Sequence, residues 1–116
     1  MTETINLILC LLTIAFGLFG FLAPRYTAAA LDLQTTNSTM GLSEIRASVG
    51  GLFVVAGLAA ILTDTPEAYF MLGWAYAGAA LGRAVSLVRD KPPFTKVLIF
   101  GGIEAVFAAL LLLLNL

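Results

Sequence analysis

The sequence predicts an all-α membrane protein, a four-transmembrane-helix antiparallel bundle, and three observations carry that prediction. Of 116 residues, 60% are hydrophobic and 11% charged, with a mean hydropathy of +1.01. That is too little polar surface to cover a soluble globule of this size. The apolar residues gather in four stretches, each long enough to cross a hydrocarbon core of about 30 Å. Short polar segments carrying proline separate most of them, so successive spans reverse direction. Residues 1–116 read as a single membrane domain.

The first span covers residues 5–23, carries no charge and is ended by Pro24 and Arg25; at 1.5 Å per residue it reaches about 28 Å. The start Met-Thr-Glu-Thr holds Glu3 and no Lys or Arg, the reverse of a signal-peptide n-region, so this span is expected to be retained. Residues 24–33 form either a short interfacial helix with Tyr26, Ala30 and Leu33 against lipid or an ordinary connecting loop. The polar run 34–39 follows. Its Asn37-Ser38-Thr39 triplet matches a glycosylation acceptor by chance.

The second span covers residues 43–62, with Ser43 as its cap and Glu44 in its first turn, beside the positive end of the helix dipole. Thr63-Asp64-Thr65-Pro66-Glu67 ends it. The third span, 68–88, opens with the interfacial aromatic candidates Tyr69, Trp74 and Tyr76 and stops at Arg89-Asp90-Lys91-Pro92-Pro93, because a double proline cannot continue a helix. The fourth, 95–115, holds Lys96 at its entry and one deeper charge, Glu104, and closes in an apolar leucine run.

Four charged residues lie at membrane depth: Glu44, Arg46, Arg83 and Glu104. A charge facing hydrocarbon costs about 2.5–3.5 kcal/mol on insertion scales, so these groups must find partners. Counting from the nearer span ends puts Arg46, Arg83 and Glu104 about 5, 8 and 14 Å deep in the same leaflet. An Arg83–Glu104 pair and a Glu44–Arg46 pair are therefore expected. Small residues lie beside the charges: Gly50, Gly51 and Gly57 on the second span, Gly78 and Gly82 on the third, Gly101 on the fourth. These are the expected helix-packing faces.

With no histidine and a single cysteine, Cys10, the chain has no means of forming an internal disulfide and lacks the usual zinc, haem and histidine acid–base sets. No cofactor, metal site or catalytic residue is expected. No nucleophile stands beside the carboxylates, which argues against an enzyme. Cys10 reads as a small packed or lipid-facing residue. A net charge of −1 without a basic tract excludes nucleic acid as a partner. The partners expected are the lipid bilayer and either further copies of the chain or a larger membrane complex.

Arg25, Arg89, Lys91 and Lys96 lie in or beside the first and third loops, while the N-terminus and the Asp64/Glu67 turn hold no basic residue. Basic residues near span ends stay in the cytoplasm. In a bacterium this gives a multi-pass inner-membrane protein with both termini in the periplasm.

Ser43-Glu44-Ile45-Arg46-Ala47 with Gly50-Gly51-Leu52, then Leu81-Gly82-Arg83, Arg89-Asp90-Lys91-Pro92 and Ile103-Glu104-Ala105, with Ala23-Pro24 after the first span, resemble an uncharacterised bacterial family of four-helix membrane proteins. That family is domain of unknown function 4345, distantly similar to DoxX-like proteins. One departure is Val49, where the family pattern suggests an aromatic residue. The resemblance implies the fold and a common polar cluster of Glu44, Arg46, Arg83 and Glu104; it implies no activity. Two roles stay open for that cluster. Buried pairs fix helix register, which suits an accessory or structural component and is favoured by balanced charges and uninterrupted helices. Alternatively, Glu104 is a ligand or proton site in a small carrier or channel.

Overall fold

The computed structural model describes residues 1–116 and is all-helical, with four helical stretches long and apolar enough to cross a membrane. Six α-helices and one π-helical segment occur along the chain: α1 Thr2–Leu22, α2 Pro24–Ala30, α3 Met40–Arg46, the π segment Ala47–Gly51, α4 Leu52–Thr63, α5 Pro66–Arg89 and α6 Phe94–Leu114. The second span, Met40–Thr63, is the continuous run of α3, the π segment and α4. The chain divides into two compact units, Glu3–Leu62 and Met1–Thr2 with Thr63–Leu116.

In the first unit, α1 buries Asn6, Leu9, Cys10, Thr13, Gly17 and Gly20. Their spacing of three and four residues defines a single narrow stripe. Cys10 is fully buried, which decides between the two expected placements in favour of packing. The stripe is lined with small residues because the second span comes to backbone distance. A Cβ added to Gly50 would stand 2.7 Å from the Phe21 amide nitrogen, and one on Gly57 would stand 2.9 Å from Ile14 Cγ1. Gly51 has ordinary contact room, 3.5 Å from the Arg46 carbonyl.

Two expectations for the second span are corrected. It begins at Met40, so Ser43 is not its cap but lies a turn inside, with its amide donating to the Thr39 carbonyl at 3.2 Å. Nor is it uninterrupted: at Ala47–Gly51 the turn widens, and the Leu52 amide donates to the Ala47 carbonyl five residues back. Consecutive glycines hold the tighter α-helical turn poorly. The widened turn coincides with the Val49–Gly50 backbone that meets Gly20 and Phe21.

The segment after α1 is a helix and not a plain loop. Pro24 occupies the first turn of α2, where its missing amide costs nothing. The helix closes with Leu33 donating to the Ala28 carbonyl at 2.8 Å and Asp32 to the Ala29 carbonyl at 3.2 Å. Asp32 takes the left-handed backbone (φ 58°) that this closure requires.

In the second unit, the Thr65 hydroxyl caps α5 by accepting from the Ala68 amide at 3.3 Å, with Pro66 following at the first helical position. Asp64 makes the reversal in left-handed conformation (φ 50°) and accepts from the Tyr69 hydroxyl at 2.8 Å. Lys91 (φ 49°) ends α5 before Pro92-Pro93. Helices α5 and α6 pack along a seam of Leu72, Gly73 and Tyr76 against Phe107, Ala108 and Leu111. The Tyr76 and Phe107 rings meet edge-on at 5.2 Å. Of the three aromatic candidates, Tyr69 and Tyr76 are thus buried, whereas Trp74 is exposed. The close-approach glycine of this seam is Gly73, whose added Cβ would meet Leu111 Cβ at 3.0 Å. Gly78 and Gly82 have nothing within 4 Å, so they are not packing positions within this unit.

These contacts separate the glycines experimentally. Gly50→Ala is expected to cost about 1–3 kcal/mol, because backbone atoms have no rotamer by which to yield. Gly102→Ala meets open space and should be neutral or stabilising by up to about 1 kcal/mol. Thermal unfolding of both variants in mild detergent checks this; equal shifts would mean that the α1–second-span approach is not as close as described.

Candidate polar site in the membrane segments

Arg83 lies six residues before the end of α5, and Glu104 ten residues after the start of α6. By helical rise they stand about 9 and 15 Å from the loop that joins the two helices. Side chains lean toward the N-terminus of their own helix. For α5 that direction is away from the joining loop, and for α6 it is toward it, so the two groups lean toward each other and close the offset. Arg83 Nε donates to Glu104 Oε1 at 2.6 Å and Nη2 donates to Oε2 at 3.3 Å.

Two further residues of α6 complete the site. The Arg83 guanidinium carbon lies 5.4 Å from the centre of the Phe100 ring, within range for a cation–π contact. An added Cβ at Gly101 would fall 3.3 Å from Arg83 Cδ, so the bare backbone there makes room for the arginine stem. The side chains of Arg83 and Glu104 are 33% and 16% exposed, which puts the carboxylate on the protected side of the pair.

Glu44 and Arg46 do not form the expected second pair. Residues two apart on a helix point to opposite sides, and each finds its own partner. Glu44 Oε1 accepts from the Ser48 hydroxyl at 2.7 Å, one turn on. Arg46 Nη1 donates to the Phe21 carbonyl at 2.6 Å. That carbonyl belongs to the last turn of α1, where the helix has no amides left to offer and cations are favoured. Arg46 therefore caps a neighbouring helix end. The signal was readable beforehand: Pro24 stops α1 and leaves carbonyls before it without helical donors.

Two depressions lie in the first unit. One, of about 740 Å³, is lined by residues that include Arg25, Asp32, Gln34 and Thr35. The other, of about 510 Å³, is lined by Thr39, Leu42, Ser43, Arg46 and Ala47. Neither is lined by Arg83 or Glu104.

Over residues 1–115 the chain matches the family described as "Domain of unknown function (DUF4345)". The chain belongs to this family. No curated protein and no solved structure matches it. In this DUF4345 chain the membrane-depth charges thus meet three different needs: an ion pair across one hairpin, a helix cap, and a hydrogen bond within one turn.

Removing one member of the ion pair strands the other, whereas removing both does not. Arg83→Leu is expected to cost about 3–5 kcal/mol, and Arg83→Leu combined with Glu104→Leu to recover much of that loss. A double-mutant cycle on stability in detergent measures the coupling, and single losses that simply add would mean the residues act independently.

Proposed function

We propose that this chain is a small accessory or structural component of a bacterial inner membrane, packing laterally against further copies of itself or within a larger membrane complex. The observation that carries the reading is the closed state of the Arg83–Glu104 pair. Both carboxylate oxygens are engaged by one guanidinium, which suits a group fixing the register of two helices better than one awaiting a cation or a proton. Small exposed residues support lateral packing: Gly78 and Gly82, one turn apart on α5, leave room for another helix at backbone distance. The basic residues of the first and third loops favour an orientation with both termini in the periplasm.

A small carrier or channel is the second reading, and the π segment at Ala47–Gly51 favours it, since such widened turns recur at functional positions in helices.

Purification in mild detergent followed by mass determination of the intact particle tests the proposal. An oligomer or a co-purifying membrane partner is expected at native abundance. A strictly monomeric particle without a partner would remove the basis for lateral packing.

A further inference from the structure

Arg46 is the membrane-depth cation for which no counter-charge stands within reach, since the single ion pair among the membrane-depth charges is Arg83–Glu104. Glu44, its neighbour in sequence, is taken by Ser48, and the group Arg46 does reach, the Phe21 carbonyl, is neutral. Its Nε and Nη2 donors have no partner within the chain. Arg46 lies six residues into the second span, about 9 Å from its end. An exposed guanidinium at that level needs an anion or water beside it.

The surroundings specify which anion. Thr39 and Ser43 stand seven and three residues before Arg46 on the same face of the span, and the three line one groove of about 510 Å³. Two hydroxyls and a guanidinium held by one of its own N–H groups make a donor set matched to phosphate oxygens. Exposed apolar side chains flank this end of the unit, with Phe21 and Leu22 on α1 and Leu52 at the start of α4. A ligand with a phosphate above and acyl chains below meets both surfaces; a free phosphate meets only the first. The neighbouring depression, which also has Leu42 in its wall, contains Asp32 with Arg25, so its carboxylate disfavours an anion there.

We propose that Thr39, Ser43 and Arg46 hold the headgroup phosphate of an anionic phospholipid. This inference stands apart from lateral packing and requires only that the spans lie in a bilayer.

Native mass spectrometry of the full chain in mild detergent, with phosphatidylglycerol or phosphatidylcholine added, tests it. One phosphatidylglycerol retained per chain is expected, with about fivefold preference over phosphatidylcholine, the weight of one basic residue beside an anionic surface. Arg46→Gln should abolish that preference. Because Arg46 also caps α1, the variant Thr39→Ala with Ser43→Ala, which leaves the cap intact, gives an independent reading and should lower retention about threefold. Glycerol 3-phosphate at matched concentration should not displace the lipid. Equal retention of the two lipids, unchanged retention in the Thr39/Ser43 variant, or displacement by glycerol 3-phosphate as effective as by lipid would each overturn the proposal.

Discussion

An ion pair between helices in a membrane has no cheap alternative state, and in this chain that constraint sets how α5 meets α6. If either helix rotated or slid by a residue, Arg83 and Glu104 would part and each would face hydrocarbon at several kcal/mol. The rest of the seam offers no comparable penalty. Gly73, Tyr76, Phe107 and Leu111 pack well, but lipid tails are as apolar as these side chains, so the packing alone discriminates weakly between registers. Phe100 and Gly101 make the pair compatible with close helices by giving the guanidinium a ring face and its stem a gap.

The unit formed by α1 and the second span solves the same problem by a different route. Its helices meet backbone to backbone at Gly20 and Gly50, where dispersion between main-chain atoms replaces side-chain interlocking. That intimacy brings the Arg46 guanidinium within reach of the last turn of α1. The π turn, the glycine contact and the arginine cap occupy consecutive positions from Arg46 to Gly51, and each makes the next feasible. A helix end inside a membrane protein has few sources of donors, and a long cationic side chain from a neighbour is one of them.

Much of this was legible in the sequence because membrane burial enforces simple rules. Length and hydropathy place the four spans within a few residues, and the isolation of Glu104 in a helix whose other charge, Lys96, lies in the first turn points to Arg83. What the sequence concealed depends on angular position. Gly78 and Gly82 look like a packing motif, yet they lie on a different side of α5 from Gly73 and Tyr76, a distinction that composition does not carry. Nor does composition show that Tyr69 and Tyr76 are buried while Trp74 is exposed. The Glu44–Arg46 pairing, by contrast, was excluded by helical geometry from the outset, since side chains two residues apart diverge. The π turn is not legible in the sequence because Gly-Gly in a membrane helix is common and gives no sign of the wider bond.

The central claim, that Arg83 and Glu104 are bonded to one another within the membrane, is tested most directly by solid-state NMR on protein reconstituted in bilayers, with ¹⁵N in the arginine side chains and ¹³C in the glutamate carboxyls. Hydrogen-bond contact (Nε to Oε1 2.6 Å) predicts strong dipolar coupling between the Arg83 guanidinium nitrogens and the Glu104 carboxyl carbon. Glu104→Gln, prepared alongside, identifies the signal by its loss. A Glu104 carboxyl carbon with no coupling to Arg83 in the wild-type protein would contradict the account.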